Sequence, residues 1–163
     1  MFLRKLLSWF GESRSPPERP WTVATGLLAE GKPLLIRYLS DAGATVTCSN
    51  FPHLIVVRWQ FDHGGSGLPD SGIRERMLRL EQLLEGVLEP RGLAVHTATA
   101  TGGGVVEWQW YAGGVDAYMQ GVNEALSGEA VFPIEFVDQE DAGWTAYDSL
   151  VATAAGDGAD AES

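Results

Sequence analysis

The residues best suited to acid–base or metal chemistry are three histidines and one aspartate. His53 and His63 flank an apolar segment, Asp62 directly precedes His63, and His96 lies much further along the chain. Such side chains could act as acid and base if the fold brought them together. A small enzyme or ligand-binding domain with its site near these four residues is therefore the alternative hypothesis. Their number and irregular spacing match no zinc motif, so the sequence predicts neither a metal ion nor a cofactor.

Two glycine-rich segments and the single cysteine resemble catalytic elements but lack the residues that such elements require. Residues 63–67 (HGGSG) resemble an esterase oxyanion loop, yet the chain has no G-x-S-x-G nucleophile elbow. Residues 102–104 (GGG) are not followed by the Lys-Ser/Thr of a phosphate loop and indicate a hairpin turn. A nucleophilic role for Cys48 would need a base supplied by folding. We therefore expect no catalytic residues and a protein that is not an enzyme.

Charge is distributed unequally between the two halves of the chain. The net charge is −11, and all 11 Lys and Arg lie in residues 1–91, beside 10 Asp and Glu. Residues 92–163 hold 12 Asp and Glu and no basic residue. A half without cations repels phosphate, which argues against a nucleic-acid partner. An acidic surface instead favours a basic protein partner.

The acidic half also contains aromatic side chains that a partner could contact. Trp110 and Tyr111 stand on a predicted strand without any nearby Lys or Arg, whereas nucleic-acid platforms combine aromatics with cations. The acidic cluster after the last strand lacks the spacing of a calcium loop and predicts a solvated turn. The predicted partner-binding residues are Glu107, Trp110, Tyr111, Asp138, Glu140 and Asp141.

Hydrophobic periodicity predicts the elements that carry these side chains. Alternation of apolar and polar residues predicts strands over 21–29, 34–38, 54–61, 93–101, 105–112 and 132–136. Apolar spacings of four and three predict helices over 73–87 and 115–126, followed by a short closing helix over 144–151. Trp59 and Trp108 alternate with polar neighbours, so we expect both in the core.

The order of these elements predicts an α+β fold. From residue 54 it runs strand, helix, strand, strand, helix, strand, which is typical of a ferredoxin-like (split βαβ) two-layer sandwich. Its antiparallel sheet would be extended by an N-terminal β-hairpin, with the helices on one face. We expect a single domain over 21–151, preceded by an amphipathic segment and Pro-rich linker over 1–20 and followed by a disordered acidic tail over 152–163.

The first ten residues have a wide apolar face interrupted by Arg4 and Lys5. The segment lacks the apolar region and cleavage site of a secretory signal, and no run is long enough to span a bilayer. We expect it to dock on a partner subunit, on the domain's open sheet face, or weakly on a membrane surface, in that order. The single cysteine fits a cytoplasmic location, and the oligomeric state is left open.

Several motifs in order along residues 21–150 resemble the bacterial domain-of-unknown-function family 695. They are Trp21, the Gly31-Lys32-Pro33 turn, Pro52-His53-Leu54, the strand Glu107-Trp108-x-Trp110-Tyr111 and the closing Trp144-x-x-Tyr147. In one departure, the family's Asp-Pro before the closing Trp is here Asp141-Ala142-Gly143. The family implies no activity. Its topology is similar to the ferredoxin-like domain of a protein inhibitor of ribonuclease E, which implies a binding role by analogy.

The leading hypothesis is a non-enzymatic protein-binding domain that acts through its acidic half. Its concrete form is an inhibitor or a toxin-neutralising immunity protein.

Overall fold

A computed structural model describes residues 21–42 and 47–162 of the chain, with side chains as far as residue 155. The predictions for residues 1–20 fall outside the described residues.

The described residues form an α+β fold with one antiparallel sheet and three α-helices. The strands are β1 (Trp21–Leu27), β2 (Pro33–Leu39), β3 (His53–Gln60), β4 (Ala94–Gly102), β5 (Val105–Ala112) and β6 (Ile134–Glu140). The helices are α1 (Ser71–Leu88), α2 (Val115–Ala125) and α3 (Thr145–Glu162), and a short 3-10 helix spans Cys48–Asn50. The predicted α+β class is confirmed.

The six strands lie in the order β1-β2-β4-β5-β3-β6, and every neighbouring pair is antiparallel. The β1–β2 hairpin extends the sheet beside β4, as the sequence predicted. The turn between β4 and β5 contains Gly103 and Gly104 at φ values of 62° and 79°. Two successive positive φ angles are what a two-residue hairpin turn needs, which is why glycines stand there.

Helices α1 and α2 cover one face of the sheet and enclose the main core. Trp59 and Trp108 are 4% and 3% exposed within this core, so the prediction that both are core residues is confirmed. Their strands contribute alternate residues, because successive side chains of a strand point to opposite faces. Asp70 caps α1 by accepting a hydrogen bond from the Ile73 backbone N–H at 2.9 Å.

The third helix packs on the opposite face of the sheet, so the predicted two-layer arrangement with all helices on one side is wrong. Trp110 contacts Tyr118 of α2, whereas its neighbour Tyr111 stacks on Trp144 at the start of α3. Adjacent residues of a strand face opposite ways, which places α3 across the sheet from α2. The sheet has apolar residues on both faces, so each face needs a covering layer. On the second face α3 buries Leu54, Tyr111 and their neighbours.

Helix α3 also continues beyond Val151, where the sequence predicted the end of the domain. Ala154 is buried in a cluster with Ile36, Tyr38 and Ala98. At least this turn of the predicted tail therefore belongs to the packed helix.

Candidate functional site

The four residues of the alternative hypothesis do not come together. His53 begins β3, whereas Asp62 and His63 follow its other end, so a strand of eight residues separates them. At about 3.3 Å per residue the separation is roughly 25 Å or more. His96 points from β4 towards α1 and makes its hydrogen bonds there and within β4. The convergence on which the alternative hypothesis depends is therefore missing.

His63 organises its own loop. Its Nδ1 accepts hydrogen bonds from the backbone N–H groups of Gly65 and Gly67, at 3.1 and 2.8 Å. The ring lies so close to Gly104 that a Cβ there would stand 2.6 Å from the imidazole. An open groove of about 460 Å³ beside it is lined by Leu28, Ala29, Glu30, Lys32, His63 and Gly103. Of the four candidate residues, only His63 lines this groove.

A β-bulge in β4 determines which way His96 points. The pairing of β4 with β5 shifts register between His96 and Ala98, which leaves Thr97 as an extra residue. Ala98 consequently faces α3, while His96 and Thr99 both face α1. Regular alternation would place His96 and Ala98 on the same face, and the bulge puts them on opposite faces. The strand can therefore turn two polar side chains towards the same helix.

The His96 side chain is completely buried in a polar network between β4 and α1. Its Nδ1 lies 3.0 Å from the Glu85 Oε2 and 3.8 Å from the Glu81 Oε1. Its Nε2 lies 2.8 Å from the Thr99 hydroxyl and 3.2 Å from the Ala98 carbonyl oxygen. Both ring nitrogens are thus in contact with polar atoms.

Two indole rings enclose the same imidazole. Trp110 stacks on His96 with ring centroids 4.9 Å apart, and Trp21 lies at 5.2 Å in a tilted arrangement. The Arg37 guanidinium lies over the Trp21 ring at 4.5 Å. Aromatic walls of this kind exclude water and lower the local dielectric, which strengthens every charge interaction inside.

Arg37 and Glu81 form an ion pair in this network, and both side chains are almost completely buried. Glu89 also approaches, because its carboxylate accepts a hydrogen bond from the His96 backbone N–H at 3.2 Å. Burial lowers the pKa of His96 to about 4, since it outweighs the attraction of the Glu81 carboxylate. At neutral pH the imidazole is therefore uncharged.

This network, hereafter the His96 cluster (Arg37, Glu81, Glu85, Glu89 and His96), was missed by sequence reasoning. Charged residues at helical spacing on α1 are typical of a solvated face, yet Glu81 is only 5% exposed. The available signal was Arg37, a charge inside an otherwise apolar strand. An isolated charge in such a strand requires a buried partner.

The aromatic part of the predicted partner surface is buried. Trp110 and Tyr111 are both 0% exposed, so the expectation that they are displayed to a partner is wrong. Each lies under a helix, since the sheet is covered on both faces at this end of β5. Glu107 is half-buried, and its carboxylate pairs with Arg58 at 2.6 Å.

Asp141 anchors the start of α3. It accepts hydrogen bonds from the Tyr111 hydroxyl at 2.6 Å and from the backbone N–H groups of Thr145 and Ala146, each at 2.9 Å. Partial burial raises the pKa of Asp141, but the hydrogen bonds outweigh it and hold the pKa below its usual value. Trp144 completes the anchor, because its indole N–H donates to the Phe51 carbonyl at 2.9 Å. These contacts give Asp141 a structural role.

Among the described residues, four ion pairs join the basic half of the sequence to the acidic half. Arg58 pairs with Glu107 and Glu135, Arg79 with Glu129, and Arg91 with Glu124. Part of the charge asymmetry is therefore neutralised within the fold.

The strand β6 lies at an edge of the sheet and pairs with β3 along one side only. Ile134 and Phe136 pack against the main core, while Glu135, Asp138 and Glu140 are exposed. Val137 is 48% exposed, and Val131 in the preceding loop is 92% exposed. We call the exposed residues Val131, Glu135, Val137, Asp138 and Glu140, with the β6 backbone, the β6 edge. Asp138 and Glu140 pair with no cation among the described residues.

Within the described part of the chain, no helix combines the length and apolar character needed to cross a membrane. Residues 19–151 match the family model described as Family of unknown function (DUF695). No curated protein and no solved structure matches the chain.

Proposed function

Because this chain belongs to domain-of-unknown-function family 695, we propose a function from its surface: a non-enzymatic domain that binds a basic protein segment at the β6 edge. The observation that carries the proposal is an exposed edge strand that combines acidic side chains with exposed valines.

The backbone of β6 is suited to receive a further strand. An edge strand presents a row of N–H and C=O groups, and an extended segment of a partner can pair with them. The opposite edge, β1, is also paired on one side only within the described sheet, but its residues Trp21–Leu27 include no acidic side chain. The β6 edge is therefore the one suited to a basic segment.

The charges of the β6 edge select the partner. Two copies of this strand would bring Glu135, Asp138 and Glu140 against the same acidic residues, so repulsion opposes self-association. A segment with Lys or Arg at the facing positions would be attracted instead. Such complementarity speeds association and discriminates between partners.

The exposed valines supply the apolar part of the interface. Val137 lies on the strand between Glu135 and Asp138, and Val131 precedes the strand. An apolar centre with a charged rim is a common arrangement in protein–protein interfaces.

The concrete form that we propose is an inhibitor or toxin-neutralising (immunity) protein acting in the cytoplasm. A basic enzyme, such as one that binds nucleic acid, would offer the complementary charge.

The four strands from β3 to β6 and the two helices between them suggest a more specific fold. We propose that residues 53–140 form a ferredoxin-like (split βαβ) unit. The spatial order β4-β5-β3-β6 supports it, with α1 following β3 and α2 following β5.

A charge-reversal pull-down tests the function. The full-length chain, the variant Asp138→Lys/Glu140→Lys and the control variant Asp62→Lys/Glu75→Lys are used as baits at low and high salt. All four positions are exposed, so the two variants change charge equally. We expect a basic protein that the wild type and the control retain, that the β6 variant loses, and whose binding weakens with salt.

Two outcomes would count against the proposal. One is equal retention of the protein by the β6 variant and the control. The other is the absence of any specific partner at either ionic strength. For a retained partner, hydrogen exchange should become slower in the β6 amides, as strand addition requires.

A further inference from the structure

The His96 cluster contains three side chains with the geometry of metal ligands. The Nδ1 of His96 and one carboxylate oxygen each from Glu81 and Glu85 lie within 4.8 Å of one another. Glu81 and Glu85 are four residues apart on α1 and therefore project from the same face of the helix. Two ligands on one tetrahedral zinc ion lie about 3.3 Å apart. The distances from Nδ1 to the two carboxylates, 3.0 and 3.8 Å, lie on either side of that value.

The far side of the imidazole favours the tautomer that a metal requires. The Ala98 carbonyl oxygen lies 3.2 Å from Nε2 and can only accept, so it can hold a proton on that nitrogen when Nδ1 binds a metal. The Nδ1 lone pair then faces the two carboxylates. A ring nitrogen that donates to a backbone carbonyl is the usual orienting contact of a metal-bound histidine. This contact spans the bulge at Thr97.

From this geometry we propose that Glu81, Glu85 and His96 bind a divalent transition-metal ion such as zinc. One imidazole and two carboxylates are ligand types that zinc accepts, and a water molecule would complete the coordination.

The surroundings of the three ligands fit this assignment. The Arg37 guanidinium bonds to Glu81 and would position that carboxylate, as hydrogen-bonding partners of ligating carboxylates do. The Glu85 side chain is 30% exposed, which offers the ion a path from solvent.

The proposed site is separate from the β6 edge. It lies between β2, β4 and α1, and two strands separate β4 from β6 in the sheet. The metal proposal can therefore fail without affecting the proposed partner surface, and the reverse also holds.

Zinc titration of the chelator-treated full-length protein tests the proposal. We expect saturable binding of a single zinc ion by calorimetry and a rise in Tm on zinc addition. His96→Gln and Glu85→Gln should each weaken binding by at least about tenfold, since even loss of a second-shell contact costs that much. Glu75→Gln, on an exposed turn of the same helix, is the matched control and should bind as the wild type does.

Two results would contradict the proposed metal site. Absence of saturable binding by the wild type, or unchanged affinity in both His96→Gln and Glu85→Gln, would overturn the proposal. If His96→Gln fails to fold, Glu85→Gln decides, because its side chain is partly exposed. ¹⁵N spectra of the imidazole give a second measurement. If the proposal is right, zinc should shift the Nδ1 resonance. If zinc leaves the spectrum unchanged and Nδ1 carries a proton donated to Glu85, the cluster is an internal hydrogen-bond network and the proposal fails.

Discussion

At the residue scale, His96 illustrates how burial and a neighbouring negative charge act on one side chain in opposite directions. Removal from water disfavours the imidazolium, while the neighbouring Glu81 favours it. Burial prevails because the ring is fully enclosed by Trp21, Trp110 and α1. The cluster therefore holds a buried, neutral histidine beside the carboxylates of Glu81 and Glu85.

The pKa of His96 predicts a pH dependence of stability. In the unfolded chain His96 titrates at its ordinary pKa of about 6.5, whereas in the fold the pKa is about 4. Between these values the unfolded state binds more protons, so the free energy of unfolding decreases as the pH is lowered. A shift of this size corresponds to at most about 3 kcal/mol.

Urea denaturation between pH 7 and pH 4, in the presence of a chelator, measures this effect. His96→Gln should show a smaller decrease than the wild type, because glutamine does not titrate. His53→Gln is the control and should keep the wild-type slope, since His53 lies outside the cluster. Equal slopes for the wild type and His96→Gln would show that the imidazole does not carry the dependence.

At the element scale, the strands of the central sheet were predictable because alternation is a local property. In β3 and β5, odd- and even-numbered residues point to opposite faces of the sheet without interruption. Alternation alone therefore placed Trp59 and Trp108 correctly in the core. The bulge at Thr97 was not predictable, because small residues stand on both faces of β4 and hide the change of parity. The sequence also did not indicate which face of the sheet α3 covers, because a terminal helix with an apolar side can pack on either face.

The candidate site was less predictable than the fold. Charged residues on α1 at helical spacing are typical of a solvated face, and only tertiary pairing with Arg37 and His96 distinguishes Glu81 and Glu85. That pairing joins β2, α1 and β4, which are far apart in the sequence. Asp138 and Glu140 were among the expected partner residues and both are exposed, but their role in binding stays a prediction.

The packing of β3 leads to a prediction about Trp59. Its ring lies against Trp108 at 6.4 Å and against Phe132 at 6.1 Å, and the side chain is 4% exposed. Truncation to alanine removes these contacts and leaves a cavity between the sheet and the helices. We expect Trp59→Ala to lower the free energy of unfolding by about 3–5 kcal/mol in chemical denaturation.

Val137→Ala is the matched control for this substitution, because Val137 lies on the neighbouring strand but is 48% exposed. It should change stability by less than about 0.5 kcal/mol. A loss below about 1 kcal/mol for Trp59→Ala would be inconsistent with the core position of the ring.

At the scale of the whole molecule, the charge asymmetry has two consequences. Arg58, Arg79 and Arg91 of the basic half pair with glutamates of the acidic half, so the two halves attract each other in the folded state. These pairs are exposed to solvent, which screens them, so each contributes little to stability. They nevertheless determine which acidic side chains remain without a cation partner and can attract a basic segment. Asp138 and Glu140 are among those without a cation partner in the described chain, which concentrates unbalanced charge at the β6 edge.

The last prediction concerns the N-terminal residues and the boundary of the domain. The family match begins at residue 19, and the described residues from Trp21 onward include a complete six-stranded sheet with a packed core. We therefore expect deletion of residues 1–18 to leave a soluble domain that unfolds cooperatively in urea. The apolar face of the first ten residues should act in association, so light scattering should show altered self-association. A full-length variant with Leu3, Leu6 and Leu7 changed to serine should show the same alteration. Failure of the deleted chain to fold would mean that these residues complete the core and that the domain begins before residue 19.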